Sequence, residues 1–507
     1  MNGALSMEYD QVRVEDAANR FPAIFTLSLL AVGGVLFSLL FLFPLSLRLD
    51  ESQSLWQSSH SLSGTLRIIA MDVHVPLYQV ILHYWQFVWG RGVPEARLLS
   101  LLFYVLCIPA IYGLGRLSFN SRTGFFAAAL AALSPFLLWY GSEIRMYTLL
   151  TLASVLNQYA FVRIMQKKGR TGWIPYFLSA SVGIYVHYFF WLNLAAQALF
   201  VIARRDLFGD RPIRTMLLIG GGLLLVFSPW IAFVVQLNQI GNSEPLLSVP
   251  ASVNIFLLFS EFLFGFHNDA IASVILAFWP LAALGIFMVL RRGTYISDEL
   301  MYFIVALIFP IISVFLFSFY RPIFLTRYLI ITLPAFYLIL AWMVGMYSRP
   351  IEAGVKLLTV IVMVIMLSEQ AFGSTAPVKE NYASVAKLLE RSATPQDVII
   401  ISPPFTVYPL EYYYQGTAKY VTLPGWDRTA YGPIPAYSRD RVEAEAERVV
   451  QNHRRAWVVL SYDQGYEKEV REFFDRRYRQ IYAEDFSRGL RLIGYEIDGS
   501  LPLLARQ

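Results

Sequence analysis

Cysteine is almost missing: the 507 residues contain one, Cys107. A single thiol excludes a disulfide framework within the chain and any Cys-based zinc site. Charge is scarce as well. Asp, Glu, Lys and Arg make up 15% of the residues, against about 25% in an ordinary globular domain. That shortage rules out a plain soluble multidomain protein. There is no Gly-rich phosphate loop, so the tail is assigned no nucleotide site. What the chain has is apolar bulk: 56% hydrophobic residues, 16% aromatic residues and a mean hydropathy of +0.51. A disordered chain would be poor in both. Much of this apolar surface must face lipid. The net charge of +5 then reports loop charge on the cytoplasmic side, not nucleic-acid binding.

Residues 1–19 are mixed in charge and lack the basic start of a signal peptide. The apolar run at 21–45 is too long for a signal core and has no small-residue cleavage site, so it reads as an uncleaved membrane helix. Further spanning runs lie near 97–117, 122–140, 147–166, 172–190, 191–203, 213–237, 270–290, 299–319, 326–347 and 353–372. The run at 251–266 is short and reads as a partial or interfacial helix. The expectation is an α-helical polytopic membrane protein of about eleven spans. With the N-terminus cytoplasmic, inside loops carry basic groups such as Arg116 with Arg122, Arg163 with Lys167, and Arg291 with Arg292. The short outside loops carry only Arg145, Arg321 and Arg327. The positive-inside rule demands this asymmetry, and an odd number of spans puts the C-terminus outside.

Composition changes after about Gly373. Three parts are expected: a cytoplasmic segment 1–20, a membrane domain 21–373 with a long first outer loop 46–97, and an extracytoplasmic α/β domain 374–507. In the tail, helices are expected near 380–391, 439–454 and 465–477, with strands at 397–402, 456–460 and 490–495.

Ionisable residues near membrane depth are costly and need a reason. Those near the outer ends of the spans are the candidates. Arg48-Leu-Asp50-Glu51 follows the first span; adjacent carboxylates there can supply a general base and a partner that orients it or holds a metal. The bland reading is interfacial solvation. Met71-Asp-Val-His74-Val-Pro76-Leu-Tyr78 lies in a loop long enough to be functional. His74 can donate to phosphate, or it is a surface histidine in an aromatic belt. The next outer loop reads Glu143-Ile-Arg145-Met-Tyr147. Arg145 needs a counter-anion, either Glu143 or a phosphate matched to its forked donors. His187-Tyr188 ends another span, and Arg327-Tyr328 opens one. Together these put acids, histidines and arginines on one face of the membrane, as an anionic lipid-linked substrate requires. The Tyr412-Tyr-Tyr414 run and Trp426 read as core packing before acceptor binding.

With Asp50-Glu51 after the first span, His74-x-Pro-Leu-Tyr78, Glu143-x-Arg145-x-Tyr147 and Arg327-Tyr-Leu, the chain resembles the GT-C superfamily of membrane glycosyltransferases. The nearest branch is similar to bacterial protein O-mannosyltransferases and lipid A aminoarabinose transferases. The tail from Lys379 to Asp397-Val-Ile-Ile is similar to that branch too. His74-Val-Pro76 departs mildly from the family's His-Pro-Pro.

The resemblance implies an inverting hexosyl or pentosyl transferase of the bacterial inner membrane, acting in the cell envelope. Its donor would be a polyprenyl-phosphate-linked sugar, and its acceptor a lipid, glycan or protein. Asp50 matches the acid that activates the acceptor, and Glu51 is the adjacent acid. Arg145 and Arg327, with His74, would bind the donor phosphate. Glu143, Tyr78, Tyr147, His187 and Tyr188 would contact substrate. No cofactor is assigned. A divalent metal held by Asp50, Glu51 and His74 is compatible with oxygen and nitrogen ligation, although nothing in their spacing demands one. Two other readings compete: a transporter or flippase of a lipid-linked saccharide, and a non-catalytic assembly protein docking through its tail.

Overall fold

A computed structural model describes residues 20–72, 74–167, 172–237, 247–266, 277, 296–372, 379–428, 435, 438–461 and 467–497. The N-terminal segment expected at 1–19, the span expected at 270–290 and the composition break at Gly373 lie wholly or mostly outside these residues. The chain divides into two compact units: Met1–Phe43 with Ile69–Pro377, and Pro44–Ile68 with Val378–Gln507.

The first unit is helical. Among the described residues, six helices are long and apolar enough to cross a membrane, and seven if one bent pair counts as a span. This is a multi-pass membrane protein. Three shorter apolar helices, Trp173–Val186, Phe190–Ala203 and Val253–Phe264, accompany them. The helix Tyr147–Lys167 has spanning length but carries Asn157 and Gln158, which lower its hydropathy. The run expected at 122–140 is broken: Ser121–Leu133 and Pro135–Gly141 meet at 59°. Pro135 lacks an N–H, and Ser134 caps the second helix by accepting from Leu137 N at 3.0 Å.

Helix Val93–Ser118 lies at the centre of this unit, against Ser121–Leu133 and Tyr147–Lys167. A Cβ at Gly115 would sit 2.6 Å from Gly124 Cα. Two small residues let the backbones approach, the usual contact between membrane helices. The spans Pro212–Gln236 and Arg349–Phe372 are mostly exposed; their apolar side chains are the lipid-facing surface that the composition demands.

The second unit is built on a five-stranded sheet of order β2-β1-β3-β5-β4. The strands are β1 Val398–Ser402, β2 Lys419–Thr422, β3 Arg455–Ser461, β4 Arg479–Ser487 and β5 Leu490–Glu496. β1 runs parallel to β2 and β3, while β5 is antiparallel to β3 and β4. Successive side chains alternate between faces, which makes two cores. Ile399, Ile401, Trp457 and Leu492 pack with the helix Tyr382–Ser392 on one face. Val398, Ile400, Val458 and Ile493 pack with Arg439–Val450 and Glu467–Arg477 on the other. β1 is buried throughout, as a strand covered on both faces must be.

Residues 44–68 belong to this unit rather than to the helical one. Trp56, on the helix Leu49–Ser58, packs 5.2 Å from Tyr408 on the helix Val407–Tyr413. Leu47 N donates to the Tyr413 hydroxyl at 3.0 Å. Tyr414 and Trp426 lie in or against the same apolar core, in keeping with the packing reading of that aromatic run.

Candidate active site

In the helical unit the backbone leaves helix between Gly141 and Tyr147. Every residue of this break is buried. Irregular backbone at membrane depth is tolerated only where protein or a water-filled cavity covers it. The break carries Glu143 and Arg145, at 2% and 3% exposure. Two charged side chains in such a place make the break the candidate site.

Arg145 Nη2 lies 2.8 Å from His74 Nε2. A guanidinium can only donate, so His74 accepts at Nε2 and keeps its proton on Nδ1. His74 therefore orients Arg145. Tyr78 is tied to the same place. Its hydroxyl meets Ser100 Oγ at 2.8 Å, and Ser100 Oγ reaches Arg145 O at 3.2 Å. Thr148 Oγ1 donates to Ser100 O at 2.9 Å. These bonds fix the break against the start of helix Val93–Ser118.

His187 sits where the helix Trp173–Val186 ends, and its Nδ1 accepts from Phe189 N at 3.1 Å. It is close enough to feel the charges of His74, Arg145 and Arg327. Arg327 opens a short 3-10 helix, Thr326–Thr332, and its guanidinium carbon lies 5.7 Å from the Tyr328 ring. Tyr328 in turn lies 5.3 Å from the His187 ring. Four segments far apart in sequence thus bring two arginines and two imidazoles together. Guanidinium groups in an apolar setting favour an anion. Tyr147 starts its helix with its ring 4.7 Å from Tyr140. The Tyr188 hydroxyl accepts from Trp230 Nε1 at 3.2 Å.

The two acids lie in the other unit, in the first turn of helix Leu49–Ser58. Their surroundings differ. Asp50 is half-buried, and Glu51 has no exposed surface. Glu51 Oε2 accepts from Arg48 N at 3.0 Å and from Lys379 Nζ at 3.1 Å. The first bond caps the helix, with Glu at the third helical position reaching back. Among the described residues, no three His, Cys, Asp or Glu side chains gather to hold a metal.

Two buried cations were not picked out from the sequence as site candidates. Lys379 was seen only as the start of the tail. Arg97 was seen only as the end of the first outer loop; it is fully buried and donates to Phe43 O at 2.7 Å and Leu42 O at 3.3 Å. It thereby holds the last carbonyl of the π-helix Ser38–Leu42 and that of its C-cap, Phe43. An Arg at the start of an apolar run was the only local signal for it.

The family described as dolichyl-phosphate-mannose-protein mannosyltransferase matches residues 73–233. That stretch contains His74, Tyr78, Glu143, Arg145, Tyr147, His187 and Tyr188. Among curated protein sequences none matches. Solved structures do. ArnT from Cupriavidus metallidurans in its apo state aligns with a TM-score of 0.60 at 13% identity, over 95% of this chain and 100% of that one. The same protein bound to undecaprenyl phosphate aligns at 0.59 and 13%, over 94% and 98%. The Archaeoglobus fulgidus oligosaccharyltransferase, tethered to an acceptor peptide with the NVT sequon, aligns at 0.52 and 11%, over 94% and 74%.

The chain has the GT-C fold. That fold has a helical membrane part and a C-terminal sheet domain, as the sequence led one to expect. Apart from Arg327, the cationic cluster described above falls within the stretch that matches the mannosyltransferase family.

Proposed function

We propose that the chain is an inverting glycosyltransferase. It moves a sugar from a polyprenyl-phosphate donor to an acceptor at the outer face of the bacterial inner membrane. The buried Arg145–His74 pair in the helix break, with His187 and Arg327 close by, carries this reading. A polyprenyl phosphate leaves readily only when its growing negative charge is stabilised. Preorganised arginine donors in a water-poor site supply that. His74 holds Arg145 in place, so little reorganisation accompanies the reaction.

Asp50 is the base. Its carboxylate takes the proton of the acceptor hydroxyl or amine. The freed lone pair attacks the anomeric carbon, the bond from that carbon to the phosphate oxygen breaks, and polyprenyl phosphate departs. One displacement needs one base and inverts the centre. Retaining hydrolases, by contrast, use a second carboxylate as nucleophile. The partial burial of Asp50, against the closed surroundings of Glu51, favours Asp50 for this role. Tyr78, Glu143, Tyr147, His187 and Tyr188 are proposed to line the donor and sugar contacts. The likeness to ArnT, solved with undecaprenyl phosphate, agrees in donor class. The flippase reading draws no comparable support, since the matches are to transferases.

The test is Asp50→Asn in a transfer assay with labelled polyprenyl-phosphate sugar. Transfer should fall by about 10²- to 10⁴-fold, the scale of a lost general base. Undiminished transfer by well-folded protein would remove Asp50 from the mechanism.

A further inference from the structure

We propose that Lys379 is a positioning residue for the transfer: its ammonium balances Glu51, so that Asp50 does not share its helix start with a second net negative charge. The inference rests on the assignment of Asp50 as base.

Asp50 and Glu51 are neighbours in one helical turn. Two ionised carboxylates side by side oppose each other, and the cost rises with burial. Glu51 and Lys379 have side chains at 0% and 1% exposure, bonded at 3.1 Å. Glu51 is also committed to the Arg48 N–H at 3.0 Å. A carboxylate so placed is closed to chemistry, but its charge still reaches the next residue.

Lys379 is itself held in place. Two residues on, Asn381 caps the helix Tyr382–Ser392 by accepting from Ser384 N at 3.2 Å. Asn381 N donates to Ser487 Oγ on β4 at 3.2 Å, and the Tyr382 hydroxyl donates to Ser461 Oγ on β3 at 2.7 Å. The sheet therefore fixes the lysine, and the lysine fixes the acid beside Asp50. The pairing spans 328 residues of sequence, which is why no local motif shows it.

The experiment compares full-length Lys379→Met, Lys379→Arg, Glu51→Gln/Lys379→Met and Asp50→Asn. Transfer is measured per folded molecule, with folding followed by thermal unfolding. In Lys379→Met, kcat should fall roughly 100-fold, the scale of a misplacement of about 1 Å at a reacting group. Its donor KM should stay within about twofold of wild type, because the donor contacts lie on other residues. Lys379→Arg keeps the charge and should keep kcat within about tenfold. The double variant removes both charges and should recover most of the kcat lost in Lys379→Met. A clamp that served stability alone would change the thermal unfolding of Lys379→Met and leave kcat per folded molecule as in wild type. Wild-type kcat in Lys379→Met, or a double variant as slow as the single, overturns the inference. An active Asp50→Asn overturns the base assignment instead, so the two failures are distinguishable.

Discussion

Two polar clusters lie among the apolar helices, and they are built on opposite plans. The first joins Asn157, Gln158, Tyr176, Asn193, Gln197 and Tyr302, all buried. It is neutral, and apart from Gln158 Oε1 its members bond to one another. Asn157 Oδ1 accepts from Asn193 at 2.9 Å and from Gln197 at 2.9 Å. The Tyr176 hydroxyl donates to Gln197 at 2.7 Å, and Gln197 donates to the Tyr302 hydroxyl at 3.1 Å. These bonds tie four helices together. The second cluster brings the guanidinium groups of Arg145 and Arg327 near the imidazoles of His74 and His187. A neutral network bonded within itself is a fastener. A cluster that carries guanidinium groups offers donors to an anion. Polarity in an apolar setting does not separate the two; the presence of charged donors does.

The comparison can be broken by substitution. The largest effect is expected at Arg145. Arg145→Met should lower transfer by about 10²- to 10³-fold, as for the loss of one donor to a developing anion, with thermal unfolding little changed. Next is His74→Leu, which frees Arg145 to swing. A loss of roughly 10- to 100-fold in kcat is expected from misplacement. In the neutral network, Asn157→Leu should instead cost about 1 kcal/mol of stability, the scale of a hydrogen bond between membrane helices. Transfer per folded molecule should be unaltered. If Asn157→Leu removes transfer from folded protein, the fastener reading is wrong.

The smallest effect concerns a charged pair that is closed. Asp397 is buried, which by itself would raise its carboxyl. The Arg455 guanidinium at 2.8 and 3.0 Å, and the Thr394 N–H and hydroxyl, outweigh this and hold it below its ordinary value. A depressed acid contributes stability that is present above its unfolded value and is lost as pH falls through its folded one. Thermal unfolding of the full chain should weaken below about pH 4, and Asp397→Asn should flatten that acid limb. A limb unchanged in Asp397→Asn would assign the acid loss to other groups.

Much of the architecture was legible because hydropathy reports lipid exposure directly. Runs such as 213–237 and 353–372 return as the helices Pro212–Gln236 and Arg349–Phe372. The α/β tail was legible in the buried β1, β3 and β5. Two strands were not. β2 has only four residues, and β4 is largely exposed, carrying Arg479, Glu484 and Asp485, so neither shows an apolar run. Arg145 was legible as a basic group on the sparsely charged side. Its contact with His74 was not, because spacing along the chain says nothing about side chains 71 residues apart. The capping role of Glu51 has a local signal, an acid three residues after Arg48, which reads equally as chemistry or as interfacial solvation. The Lys379 partner had none.

The central claim is that the cationic cluster holds a polyprenyl phosphate. Binding of undecaprenyl phosphate to purified full-length protein in detergent tests it most directly, with wild type, Arg145→Met and Asn157→Leu side by side. A charge-assisted bond to phosphate is worth about 1.5–3 kcal/mol, so Arg145→Met should weaken binding roughly 10- to 100-fold, while Asn157→Leu binds as wild type does. Equal affinity in wild type and Arg145→Met would contradict the account.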